Sequence, residues 1–186
     1  MADYYLISQL PSLDCLSDEM AVPISEERFF ELCGRFLKGK VLEKIKKLTL
    51  LPSLNADESD TGLIRAWNEK ERGLRLALAR LRAERMNKSF CVDGDNVPSD
   101  VLRAASAAVE MSDPMEAECF LLKYRLQLLE ELRPTEHFCE DYLFYYGLKL
   151  KLISRVRGFD GAQGRAVYQS IYKSVMEKDR LETENE

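Results

Sequence analysis

The feature that most constrains this chain is the stretch from Thr135 to Asp160. There Cys139, Tyr142, Leu143, Tyr146, Leu150 and Ile153 recur mostly at intervals of three or four. That is the period of an α-helix with one apolar stripe. Thr135 follows Pro134, and its hydroxyl is placed to cap the first turn. Lys149, Lys151, Arg155 and Arg157 crowd the C-terminal half, where the helix dipole is negative. Gly158 and Gly161 are expected to stop the helix. A stripe of this length must be covered, so the remainder of the chain is expected to pack around it.

The same period runs through most of the sequence. Ser25 caps a helix that opens with Glu26 and Glu27 and carries Phe29, Leu32, Cys33 and Phe36 on its apolar side. Gly39 ends or bends it, and Val41, Leu42, Ile45 and Leu48 continue the period to about Leu51. Asp60 or Thr61 caps the next helix, expected over residues 62–87. Pro98 suits the first position of another helix, and Asp113-Pro114-Met115-Glu116 combines a capping acid with a proline at the first helical position. That last helix runs to about Leu132 and is expected to form an antiparallel hairpin with the Thr135 helix. A final helix is expected over 163–180, with Val167, Ile171 and Val175 facing inward and Tyr168 and Tyr172 beside them. Only Tyr4 to Ile7 is ambiguous between a short strand and a helix start.

Of 186 residues, 46 % are apolar and 32 % charged, a composition that suits helices around a substantial core. The expected fold class is all-α: six to seven helices in an antiparallel bundle, one domain over residues 1–180, and an acidic frayed tail over 181–186. No apolar run of about 18 residues is present, so no transmembrane helix is expected. The first residues lack the basic segment of a secretory signal, which gives a cytoplasmic expectation.

Motifs that carry chemistry are scarce. The five cysteines, Cys15, Cys33, Cys91, Cys119 and Cys139, form no CxxC pair, so zinc is not expected. Their odd number fits reduced thiols, and Cys33, Cys119 and Cys139 lie among apolar residues that suggest burial. His137 is the sole histidine; with Cys139 two residues away it cannot share a helix face. Asp93-Gly94-Asp95-Asn96 lacks the spacing and terminal Glu of a calcium loop. No phosphate-binding glycine motif occurs, and the glycines from Gly158 to Gly164 are read as a helix end and turn. The expectation is a protein without catalytic residues, metal or cofactor.

Charge is unevenly distributed. From Thr61 to Lys88 there are eight Lys/Arg against three Glu, in a chain whose net charge is −5. Such a helix is a solvated face, a docking face for an acidic protein, or a phosphate-binding surface.

A six-residue pattern recurs. Gly73-Leu74-Arg75-Leu76-Ala77-Leu78 and Gly147-Leu148-Lys149-Leu150-Lys151-Leu152 both read G-L-[RK]-L-x-L in mid-helix. Two similar long helices point to an internal repeat of a helix group, an architecture of scaffolds. Four segments, two of them overlapping these hexapeptides, carry a resemblance: Tyr4 to Leu13; Arg65-Ala66-Trp67 with Glu71 and Leu74-Arg75; Asp113 to Glu118; and Tyr146 to Leu150 with Arg155 and Phe159-Asp160. Together they resemble a bacterial family encoded within V-type ATPase operons, itself distantly similar to the C (eukaryotic d) subunit of that ATPase. The resemblance implies an all-helical, non-catalytic component that links the central stalk to the membrane rotor ring. Its partners would be other ATPase subunits, which would hold it at the periphery of the inner membrane. This chain is short for a full-length member of that subunit type and would contain fewer repeats. The basic residues of the two recurrent helices, Arg65, Arg72, Arg75, Arg82, Arg85, Lys149 and Arg155, are the candidate partner-binding residues. The alternative is a nucleic-acid-binding helical protein using the basic helix 61–88.

Overall fold

The computed structural model describes residues 2–14, 22–53, 60–90, 97–158 and 161–183. These residues form eight helices and no strand: α1 (Ala2–Gln9), α2 (Glu26–Phe36), α3 (Gly39–Lys46), α4 (Gly62–Arg85), α5 (Ser99–Glu110), α6 (Pro114–Glu131), α7 (Glu140–Arg157) and α8 (Gly161–Thr183). The ambiguous N-terminal block is therefore helical. The sequence-based expectation of six to seven helices falls short because the N-terminal block adds a helix and extended backbone at Leu37 and Lys38 separates α2 from α3, just before Gly39. Its φ of +64° lies in the left-handed region, which glycine enters without steric cost. The chain divides into two compact units, residues 1–154 and 155–186.

Local signals place most boundaries. The Ser25 hydroxyl accepts the Arg28 N–H at 3.2 Å, and Thr61 accepts the Ile64 N–H at 3.4 Å. The Asp113 carboxylate accepts the Met115 N–H at 2.9 Å, with Pro114 opening α6. These bonds satisfy orphan donors of the first turns. α7 ends at Arg157 with Gly158 following, as expected, but the boundaries after it differ from expectation. Gly161 does not stop a helix but begins α8, and α8 continues to Thr183 through part of the expected tail. The remaining tail residues, 184–186, lie outside the described residues.

Thr135 does not cap α7, which starts five residues later at Glu140. The intervening segment makes other contacts. Phe138 packs on Tyr4 with ring centroids 4.6 Å apart, and His137 lies 5.3 Å from the Tyr142 ring. The Cys139 thiol donates to the Glu136 carbonyl.

The core of the first unit has two parts. In one, Leu74, Ala77 and Leu78 of α4 pack with Val101, Ala105 and Ala108 of α5 and with Leu121 of α6. The alanines on α5 keep that contact thin, which lets the helices approach closely. In the other, every residue of α7 from Leu143 to Leu150 is buried. Phe29 of α2 lies against Tyr146, with ring centroids 5.4 Å apart. A Cβ at Gly147 would fall 2.8 Å from Leu48 Cδ2 and 3.2 Å from Phe29 Cε1. Glycine is thus what lets these side chains reach the backbone of α7. The matching Gly73 on α4 has no such neighbour within 4 Å. The two G-L-[RK]-L-x-L segments share a pattern but not an environment.

Candidate interaction surface

Among the described residues of the first unit, three charged residues are buried: Glu71, Arg125 and Lys149. Glu71, only 1 % exposed, faces α6 from α4. It accepts from Arg125 Nε at 2.9 Å and from Arg75 Nε at 2.7 Å. Glu118 stands 4.0 Å from the Nη1 end of Arg125. The charges are therefore mutually satisfied, which is what allows them inside.

Lys149 is 7 % exposed and sits among Asp14, Glu130 and Tyr145. Its ammonium is 2.6 Å from Glu130 Oε1, and Tyr145 donates to the same oxygen at 2.7 Å. Burial pulls the Lys149 pKa down, but hydrogen bonds to Asp14, Glu130 and Tyr145 outweigh it and raise the pKa above the ordinary lysine range. The Lys149 hydrogen bond is also the main reason the Asp14 carboxyl is held below its ordinary range. Tyr145 is pushed up to about 12, first by burial and then by its bond to Glu130. Just before Asp14 in the chain, the Pro11 carbonyl accepts from the Tyr146 hydroxyl at 2.8 Å. α7 thus fastens both the end of the N-terminal segment and α6.

The partner-binding residues expected from sequence are dispersed. Lys149 is internal and contributes no surface charge, because Asp14 and Glu130, both distant in sequence, supply its carboxylate partners. Arg75 is half-exposed but tied to Glu71. Arg72 donates to the Ser53 carbonyl at 2.5 Å, and Arg85 donates to the Val109 carbonyl. Arg65 and Arg82 are exposed and have no ion pair among the described residues. Arg82 and Arg85 flank a cleft of about 360 Å³ that Met86, Met111 and Leu121 also line. Arg155 is exposed and belongs to the second unit. Much of the basic charge on α4 therefore organises backbone and core, rather than forming one continuous free surface.

Of the cysteines, Cys33 is buried, and burial pushes its thiol up to about 12, so it is a poor nucleophile. Cys119 and Cys139, expected inside, are only partly buried. Cys15 and Cys91 lie outside the described residues, as does the segment from Asp93 to Asn96. Among the described residues, no group of three or more His, Cys, Asp or Glu side chains is placed to hold a metal ion. No helix there is long and apolar enough to cross a membrane.

The largest departure from the sequence-based expectation is on α8. Val167, Tyr168, Ile171, Tyr172 and Val175, expected partly inward, are 52 to 67 % exposed. They recur at intervals of three and four along the helix, and the Tyr168 and Tyr172 rings stack at 6.2 Å. Among the described residues, the second unit holds the end of α7 and α8 and no further helix. Contiguous apolar residues left in water mark an interaction site more often than isolated ones do. Periodicity finds the stripe; it cannot tell burial within the chain from burial against another molecule.

Comparison with protein-family models, curated proteins and solved structures finds no match to the chain.

Proposed function

We propose that the chain is a non-catalytic interaction component of a bacterial V-type ATPase, similar to its C (eukaryotic d) subunit and acting between the central stalk and the rotor ring. The observation that carries the interaction role is the exposed stripe of α8, with five large apolar side chains on a unit that has no second complete helix among the described residues. Such a stripe is the helix-in-groove recognition element, read through anchors at intervals of three and four residues. Arg165 and Lys173 are the only charged residues between Gly164 and Val175, so the groove that receives the stripe would be acidic at its rim. The assignment to the ATPase rests on the four resembling segments, from Tyr4 to Leu13, around Trp67, from Asp113 to Glu118 and from Tyr146 onward. On this reading the protein acts in the cytoplasm and is held at the membrane through its complex.

Nucleic-acid binding by α4 has less support. Arg72, Arg75, Arg80 and Arg85 each hold a carbonyl or carboxylate of the chain itself. Those donors cannot turn to phosphates without breaking these contacts.

Purification of the ATPase from cells with and without this chain tests the proposal. The wild-type chain is expected to co-purify, an Ile171→Asp chain to be lost from the complex, and deletion to impair coupling of hydrolysis to ion movement. A chain that never co-purifies, and whose loss leaves coupling intact, overturns the reading.

A further inference from the structure

The densest run of positive charge is not on α4. From Arg35 to Lys47 there are six Lys/Arg (Arg35, Lys38, Lys40, Lys44, Lys46 and Lys47) against the single acid Glu43. Five of these cations, all but Lys44, are exposed and have no ion pair among the described residues. Lys44 stands 4.0 Å from Asp60. The helix geometry explains the display. Ile45 of α3 and Leu48 in the turn after it are buried, so Lys40 and Lys47, seven residues apart, share the solvent side. Leu51 adds an apolar tip. It is 63 % exposed, and it lines the same depression as Lys44 and Lys47.

We propose that this surface, the end of α2 together with α3 and the turn to Leu51, binds the anionic headgroups of a lipid bilayer. The side-chain types decide between anionic partners. Protein interfaces are depleted in lysine and enriched in arginine and aromatic residues, whereas five of the six cations here are lysine. Nucleic-acid surfaces use arginine forks and aromatic stacking platforms. No aromatic side chain among residues 35–51 is exposed; Phe36 is half-buried. Lysines are flexible point charges that need no fixed acceptor geometry, which suits a fluid layer of phosphate headgroups. An exposed leucine at the margin can enter the acyl boundary while the lysine stems remain at headgroup level. Because the lysines lie outside the core, their charge meets a bilayer without any rearrangement of the fold. This inference is independent of the ATPase assignment, since it concerns the isolated chain and a different surface from α8.

Co-sedimentation of the purified chain with vesicles tests it. Binding is expected to vesicles containing phosphatidylglycerol, to be absent with phosphatidylcholine alone, and to weaken as salt rises. Neutralising one lysine, Lys40→Gln or Lys47→Gln, is expected to lower binding roughly fivefold, and the double variant more than either. Leu51→Ser is expected to weaken the binding that survives high salt. Lys123→Gln, an exposed lysine on α6, serves as the control and should change little. Circular dichroism of each variant separates lost binding from lost fold. Equal binding to both vesicle types overturns the proposal, as does binding that ignores Lys40 and Lys47. Failure to bind phosphatidylglycerol vesicles while the same lysines bind duplex DNA or an acidic polypeptide also overturns it.

Discussion

Arg125 reaches from α6 to α4 and donates its Nε–H to Glu71 at 2.9 Å, inside the protein. Arg75, one turn along α4, holds the other carboxylate oxygen at 2.7 Å. Removing one member of a buried pair leaves the other charge uncompensated, which costs about 3–5 kcal/mol. Arg75 still pairs with Glu71 when Arg125 is lost, and Glu118 still stands near Arg125 when Glu71 is lost. Arg125→Met and Glu71→Leu are therefore each expected to destabilise the fold toward the lower end of that range, about 3 kcal/mol. The double replacement Glu71→Leu with Arg125→Met should recover much of the loss. Urea unfolding of the three variants measures it. Additive losses in the double variant would show that the pair is not coupled.

The Lys149 cluster sets a pH window. Asp14 titrates below its ordinary 3.8 in the folded chain, so its contribution is present above that value and is lost as pH falls through the folded pKa. Lys149 titrates above its ordinary 10.5, so its contribution is full below that value and is lost as pH rises through the folded pKa. The wild-type urea midpoint should therefore decline at both extremes. Lys149→Met is expected to lower the midpoint at neutral pH and to flatten both declines. A variant curve parallel to wild type would contradict the assignment.

Gly73 and Gly147 should respond oppositely to alanine. At Gly73 the space is open, so alanine is expected to stabilise α4 by about 0.5–1 kcal/mol. At Gly147 the new methyl meets Leu48 and Phe29, and overpacking of this kind costs about 1–3 kcal/mol. Thermal unfolding of the two variants should move in opposite directions. Equal shifts would mean that α7 can slide away from Phe29.

Ile171 and Tyr168 should matter to association and not to folding. Both are exposed, so Ile171→Asp is expected to change the unfolding free energy by no more than about 0.5 kcal/mol. The same change should abolish capture of the partner on the α8 stripe. A large loss of stability in this variant would show that the stripe is covered within the folded chain.

Cys33 reports global opening. Its buried thiol, pushed up to about 12, should resist alkylation at about pH 8 until the chain unfolds. Mass spectrometry after iodoacetamide treatment across a urea series should show Cys33 modified with the same midpoint as the loss of helix. Modification well below that midpoint would place α2 in a separately opening region.

What the sequence alone determined is local. Apolar spacing identified the helices, and the Ser25, Thr61 and Asp113 caps placed their starts, because period and capping depend on neighbours within a few residues. The tertiary structure decided everything that depends on distant partners. Lys149 looked like surface charge because lysine in the basic half of an amphipathic helix usually is; Asp14, far away in sequence, pairs with it inside. Gly147 looked like its counterpart Gly73, and only Phe29 and Leu48 distinguish them. The stripe of α8 was legible as apolar, but whether it lies inside depends on which elements share its unit. The lysines from Lys38 to Lys47 were visible in the chain, yet their significance appeared only once α3 turned Ile45 inward and left them in water. A pattern in sequence specifies which side of a helix is apolar; what covers that side is set by long-range packing.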